Sequence, residues 1–277
     1  MSARAGFLTM RIAGLPMYDL AEATAATDAW WAGLARAFRR EGVRDVPDRL
    51  CRDGSPDEHW LAPDLLFSQT CGYPLVNALA GRVKPIATPC YGAPECAGAD
   101  YCSLVIVRAD SLVAGIADLA GAACAVNEAE SHSGYNTLRA LAAPFSRGGR
   151  FFGRVVVSGA HVASLALVAS GGADVAAIDC VTHALLARHR PAALAGTRVL
   201  CRSGSAPGLP YVTAAGTDDE TLRRLRAGLS RALADPDLAA ARADLLIAGA
   251  VELPATAYGR ILEVESEAAA LGYARLA

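Results

Sequence analysis

Residues Ala125 to Arg139, Ala-Val-Asn-Glu-Ala-Glu-Ser-His-Ser-Gly-Tyr-Asn-Thr-Leu-Arg, set a short apolar run against small hydroxyl residues and a glycine. Read as a buried strand that opens into a helix, the run places Ser131, His132, Ser133 and Gly134 at a helix N-terminus. The first backbone N–H groups of a helix have no partner within it and point outward. Together with the Ser hydroxyls they can receive a phosphate, a phosphonate or a carboxylate. The same residues can also do no more than cap the helix, since a Ser side chain satisfies one of those amides without any ligand.

Two more junctions share this form. Val155-Val-Val-Ser158 leads into Gly159-Ala-His161, and Val175-Ala-Ala-Ile178 leads into Asp179. Ligands of open α/β sheets bind outside the carboxyl ends of the strands, so the three junctions are expected to converge on one crevice. His161 starts a helix whose Val162, Leu165 and Val168 face a core, which leaves its ring free to donate a hydrogen bond to an anion. Asp179 reads either as the N-cap of Val181 to Arg188 or as a carboxylate that accepts the ammonium or hydroxyl end of a zwitterionic ligand. Facing loops follow the apolar runs Leu65 to Phe67 and Val83 to Thr88. In the same lobe Tyr18, Tyr73 and Tyr91 offer hydroxyls and an apolar wall, and Gln69 and Thr70 offer polar contacts.

Signals for chemistry beyond binding are missing from the sequence. No nucleophile elbow, P-loop or dinucleotide fingerprint occurs, and no carboxylates are paired at acid/base spacing. The eight cysteines, Cys51, Cys71, Cys90, Cys96, Cys102, Cys124, Cys180 and Cys201, form no CxxC pair, which argues against zinc. No catalytic residue, metal or cofactor is therefore expected. Cys71 and Cys96 fall in loops that could meet near the crevice, and a disulfide between them is one expectation.

These residues need rigid elements to hold them. Short apolar runs alternate with helical patterns, as in an α/β protein with parallel sheets. The predicted strands are Thr9 to Leu15, Leu65 to Ser68, Val83 to Thr88, Ser103 to Arg108, Ala122 to Asn127, Arg154 to Ser158, Asp174 to Ile178, Arg198 to Arg202 and Tyr211 to Ala214. The clearest helices are Thr24 to Arg40, with Trp30, Leu34 and Phe38 at helical spacing, and a C-terminal run from Asp218 to Leu271 broken at Pro236 and Pro254. Trp30 and Trp31 read as core. Gly- and Pro-rich connections at Ala93 to Gly98 and Ser203 to Pro210 flank a central block, which predicts a discontinuous first lobe (1–104 and 200–277) and an inserted second lobe (105–199).

The chain has 277 residues, with 26 basic and 28 acidic side chains in no block of one sign, which argues against nucleic acid or an anionic membrane as principal partner. Its ligand should be small. No apolar stretch is long enough to cross a membrane. Arg11 interrupts the only apolar candidate for a signal peptide, so the expected location is cytoplasmic, or periplasmic if the start is truncated.

In order along the chain, Leu15-Pro-Met-Tyr18, Ser68-Gln-Thr-Cys-Gly-Tyr-Pro74, Tyr91 through Cys96 to Tyr101-Cys-Ser103, Asn127 to Arg139, Ser158-Gly-Ala-His161 with Ser164, and Gly172 to Asp179 together resemble the phosphate/phosphonate-binding family of ABC-transporter substrate-binding proteins, the PhnD-like group. The resemblance implies a two-lobed periplasmic-binding-protein fold of type II, each lobe a mainly parallel sheet flanked by helices, with two crossing strands as hinge. It implies an oxyanion gripped by Ser131, Ser133, Gly134 and His161, with Asp179 near the ligand's distal group, and an ABC permease as partner. Two alternatives stay open: a cytoplasmic enzyme on the same fold acting on a small carboxylate or phosphorylated metabolite, and a ligand-sensing regulator domain.

Overall fold

The computed structural model describes residues 11–277. Two five-stranded sheets are joined by a two-stranded ribbon. The chain starts in the first sheet with β1 (Ile12–Ala13), β2 (Leu65–Gln69) and β3 (Val83–Tyr91). It passes through β4 (Asp100–Tyr101) into the second sheet, built from β5 (Ser103–Arg108), β6 (Ala123–Val126), β7 (Arg154–Val157), β8 (Val175–Asp179) and β9 (Thr197–Arg202). It returns through β10 (Ala206–Pro207) to β11 (Tyr211–Ala214) and β12 (Ile247–Val251). Helices α1 (Thr24–Arg40), α2 (Pro56–Leu61), α3 (Gly72–Val76), α4 (Thr137–Ala142), α5 (His161–Ser170), α6 (Cys180–His189), α7 (Asp219–Ala234), α8 (Ala239–Asp244) and α9 (Gly259–Ala270) flank the sheets.

All nine predicted strands are present, the first only as Ile12–Ala13, since Thr9 and Met10 lie outside the described residues. Strand orders are β1-β2-β11-β3-β12 and β7-β6-β8-β5-β9. Within the second sheet β6 runs parallel to β7 and β8, while β5 runs antiparallel to β8 and β9. In the first, β11 runs antiparallel to both β2 and β3. At the sheet's edge β12 also runs antiparallel to β3, while β5 and β11 share a cause. Each is the strand its sheet receives from the ribbon, so it runs away from the ribbon while its neighbours run towards it. Consequently the carboxyl ends of β6, β7 and β8 face the junction between the sheets, the place for ligands in this kind of sheet.

The ribbon is made by the two crossings themselves: Ala206 pairs with Tyr101 and Pro207 with Asp100. On the first sheet Trp30, Trp31, Leu34 and Phe38 of α1 bury against Phe67, Tyr211 and the α7 leucines Leu225 and Leu229. The apolar stripe at helical spacing thus becomes the core of this half.

Two differences from the sequence reading matter. Ile247–Val251, expected within a helical run, is β12 and pairs with β3. Its Ala- and Gly-containing apolar pattern suits either state, and the backbone hydrogen bonds offered by the edge of β3 decide it. The segment from Gly259 on, expected with the first lobe, also packs on the second. Ala268, Tyr273 and Leu276 share a buried cluster with Val105, Leu138, Phe151 and Val175, and the N–H groups of Phe151 and Phe152 donate to the Ala277 carbonyl at 2.6 and 2.9 Å. At its start α9 touches the first half instead, where Ile261 fills the space beside Gly72.

Candidate ligand-binding cleft

A cavity of about 590 Å³ opens between the two sheets. Its second-sheet wall is formed by Asn127, Glu128, Glu130, Ser131, Ser133, Gly159 to Val162, Asp179 and Thr182; its opposite wall includes Pro16 to Leu20, Asp57, Trp60, Cys71, Pro74 and Asn77 to Leu79.

The Ser131 junction is more loosely wound than an ordinary helix start. His132–Asn136 forms a π-helical turn before α4, and Asn136 N–H donates to the Ser131 carbonyl at 3.0 Å. Ser131 caps this turn by accepting from Gly134 N–H at 3.0 Å. That amide is therefore not free, and the capping reading of Ser131 holds. Gly134 is required by space, because a Cβ there would sit 1.8 Å from Asn127 Oδ1 and 3.3 Å from His161 Cε1.

Ser133 turns its side chain to the second junction. Its Oγ lies 2.9 Å from His161 Nε2 in a hydrogen bond that joins the two helix starts. No side chain caps α5, so its first amides keep their donor capacity towards the cavity. His161 Nδ1 is buried with no hydrogen-bond partner. Burial lowers the His161 pKa to about 4, and its ring is neutral at physiological pH. Asp179 is the third junction. Its Oδ1 accepts from Val181 N–H at 2.7 Å and Thr182 N–H at 2.9 Å, capping α6, and its Oδ2 accepts from Tyr18 OH at 2.8 Å across the cleft. Burial nevertheless raises the Asp179 pKa to about 6, the capping amides and Tyr18 offsetting only part of that cost.

The structure brings Tyr18, Ser131, Ser133, His161 and Asp179 to the cavity and holds the other expected residues elsewhere. His132 is buried behind the π-turn, its Nδ1 3.1 Å from Asn136 Nδ2, and burial lowers its pKa to about 4. Gly134 packs behind Asn127 and His161. Gln69 Nε2 donates to Tyr91 OH and to the Leu209 carbonyl, each at 3.0 Å, while the Tyr91 ring stands edge-on to Tyr18 at 5.1 Å. These two brace Tyr18 from behind. Thr70 is fully buried and bonds the Cys71 carbonyl. Tyr73 turns away to Glu265 of α9, 2.9 Å from its OH. Cys71 lines the cavity but Cys96 faces Cys180 at 3.6 Å, and all eight cysteines are free thiols, so the expected Cys71–Cys96 disulfide is not formed.

Residues not expected in the site also line it. Asn127 stands at the end of β6 with its Oδ1 buried and without a hydrogen-bond partner, its position at a strand end being the signal that could have found it. Asp57 and Trp60 come from α2, whose start is marked by the capping box Ser55-x-x-Glu58. The charge of the lining is one-sided. Asp19, Asp57, Glu128, Glu130 and Asp179 line the cavity, and among the described residues no Lys or Arg does. Burial first, then Asp57 across the gap and Glu130 beside it, push the Glu128 carboxyl up. Among the described residues no group of His, Cys, Asp or Glu is placed to hold a metal ion, and no helix is long and apolar enough to cross a membrane.

Residues 63–258 match the family model described as ABC transporter, phosphonate, periplasmic substrate-binding protein. Among solved structures, PhnD1 from Prochlorococcus marinus in complex with methylphosphonate matches over 93% of this chain and 97% of its own, with a TM-score of 0.76 and 13% identity. A binding protein component of an ABC phosphonate transporter from Pseudomonas aeruginosa matches over 95% and 88%, with a TM-score of 0.75 and 17% identity. A Xanthomonas citri protein bound to ATP matches over 95% and 98%, with a TM-score of 0.69 and 20% identity. At such identities the likeness is one of fold. No protein of curated function matches the sequence.

Proposed function

Because the chain belongs to the family of periplasmic substrate-binding proteins of phosphonate ABC transporters, we propose that its cleft captures a small oxyanion of the phosphonate or phosphate type and presents it to an ABC permease, without changing it chemically. The observation that carries this reading is the 2.9 Å bond between Ser133 Oγ and His161 Nε2, which joins two helix starts inside the cavity. An entering oxygen replaces that bond. A neutral pair is worth about 1 kcal/mol net, while hydrogen bonds to a charged group are worth about 1.5–3 kcal/mol, so the exchange favours the ligand. The uncapped amides of α5 and the positive end of its dipole add to it.

The anion's charge is then held by neutral donors, since the cavity is lined by five carboxylates and, among the described residues, by no Lys or Arg. That balance supports a ligand with a cationic end, a zwitterion whose ammonium or hydroxyl group replaces Tyr18 at Asp179 Oδ2. Sulfonates and plain carboxylates meet the same donors but gain less.

Closure is proposed to turn on the β4–β10 ribbon, with the lobes divided near residues 104 and 200 and the segment from Gly259 on strapped to the second. The family's description as periplasmic supports a periplasmic location, which cell fractionation tests. Calorimetry of the folded protein with methylphosphonate, an aminoalkylphosphonate, phosphate, a sulfonate and a carboxylate tests the ligand class. Binding of the phosphorus oxyanions, strongest for the zwitterion, is expected; no heat from any of them refutes the proposal, and ligand recovered altered refutes its non-catalytic part.

A further inference from the structure

Three thiols gather where the chain crosses between the sheets. Cys96 sits in the turn that leaves β3, its N–H donating to the Ala93 carbonyl at 3.0 Å. Cys102 lies between β4 and β5, and Cys180 is the first residue of α6, directly after the cleft residue Asp179. Cys180 N–H donates to the Cys102 carbonyl at 3.0 Å, continuing the ladder in which Ser103 pairs with Asp179. The Cys96 and Cys180 sulfurs are 3.6 Å apart, although 84 residues separate them along the chain. Cys102 Sγ completes the cluster, 3.9 Å from the Glu95 carbonyl.

The three are not equivalent. Cys102 and Cys180 are buried, whereas Cys96 is partly exposed. Only Cys96 can meet a reagent from solvent. Cys102 and Cys180 already stand on paired backbone, so a bond between them would restrain little. Cys96 stands on the connection that must bend when the sheets move relative to each other, and a bond to Cys180 would fasten that connection to the first turn of α6.

We propose that Cys96 and Cys180 form a reversible disulfide by exchange with an external disulfide, and that this bond locks the angle between the two sheets. Cys96, as thiolate, attacks one sulfur of the reagent, here oxidised glutathione, and displaces one glutathione thiolate. Cys180 then gives up its proton and attacks the Cys96 sulfur, displacing the second. Two protein thiols become one disulfide, and one glutathione disulfide becomes two thiols, so electrons and protons balance. The Cys102 thiol acts to lower the Cys180 pKa, but the Cys96 thiol and then burial outweigh it and push Cys180 up to about 12, which makes the second step the slow one and gives the mixed disulfide a lifetime.

The test uses the full-length protein, reduced, freed of reductant and incubated with oxidised glutathione. Intact mass should fall by two hydrogens, and a peptide map without reduction should contain a Cys96–Cys180 linked pair. Cys96→Ser should abolish the pair, while Cys102→Ser should leave it. A linked pair of Cys102 with Cys180, a stable glutathione adduct on Cys96, or an unchanged mass would each overturn the proposal, and all three are read on wild-type protein. The locking part is read by amide hydrogen exchange without any ligand. Exchange across Ala93 to Gly98 and the start of α6 should slow in the oxidised form and recover with dithiothreitol; equal exchange in both forms would refute the lock. Neither readout depends on what the cleft binds.

Discussion

The two walls of the cleft are built on different principles. On the second-sheet wall, Ser133, His161 and Asp179 each stand where a strand ends and a helix begins, and their bonds run to helix-start backbone, to each other and, from Asp179, across the cleft to Tyr18. On the first-sheet wall, Tyr18 is aimed by a stack of side chains, Tyr91 edge-on to it and Gln69 behind Tyr91. The first arrangement is preorganised by main chain, the second by packing. Binding that depends on the orientation of dipoles should therefore reside on the second wall, with the first supplying closure.

Acid should separate the walls most strongly. His132 and His161 are held neutral in the second half, with pKa values lowered to about 4 from an ordinary value near 6.5. The unfolded chain binds protons more readily at these positions, so their contribution is complete above about pH 6.5 and is lost as pH falls towards 4. Asp179 acts in the opposite sense, because its pKa is raised to about 6 and the folded state gains protons first. For these two histidines and this carboxylate together, the net loss between pH 6.5 and 4 is on the order of 3 kcal/mol, with the lowered His183 adding to it and the raised Glu128 opposing it. Hydrogen exchange at several pH values should show β6 and β8 loosening before β2 and β3; equal loosening of both sheets would erase the distinction.

Substitution in the second wall comes next. Ser133→Ala or His161→Ala should weaken oxyanion binding by about 1.5–3 kcal/mol, and the double variant should lose less than the sum because the two side chains share one bond. Calorimetry checks both, and unchanged affinity in both single variants would place the anion elsewhere. On the first wall Tyr18→Phe removes the bond across the cleft to Asp179 that the ligand's cationic end has to displace, and should strengthen binding of the zwitterion by about 0.5–1.5 kcal/mol in calorimetry while leaving methylphosphonate nearly unchanged. The smallest effect is expected from Tyr73→Phe, within about 0.5 kcal/mol for ligand, since its hydroxyl bonds Glu265 outside the cavity. A larger loss there would mean that the first wall reaches further than Tyr18.

The same contrast explains what the sequence made legible. Ser133, His161 and Asp179 were readable because strand, turn and helix start are neighbours in sequence, and the local pattern alone places the side chain. Tyr18 was readable as a hydroxyl-bearing aromatic and through its motif, but neither shows that it reaches Asp179 across the cleft. Gln69, Thr70 and Tyr73 come from a loop of the same appearance, and whether each faces the cavity depends on distant partners: Tyr91 and Leu209 for Gln69, Glu265 for Tyr73. Asn127 was visible as a strand-end residue, yet its importance lies in filling the space that Gly134 leaves. Strand β12 and the short ribbon β4–β10 were missed because pairing between distant segments defines them, a property that the periodicity of one segment does not carry. The swing of the C-terminal segment onto the second half escaped for the same reason, since Tyr273 and Leu276 read only as apolar residues until Phe151 and Phe152 meet them.

The most direct test of the central claim is a crystal structure of the protein grown with methylphosphonate. The phosphonate group should lie between α5 and the π-turn, its oxygens within hydrogen-bond distance of Ser133 Oγ, His161 Nε2 and the first amides of α5, with the Ser133–His161 bond replaced. A phosphonate bound elsewhere, or a cleft in which that bond persists beside the ligand, would contradict the claim.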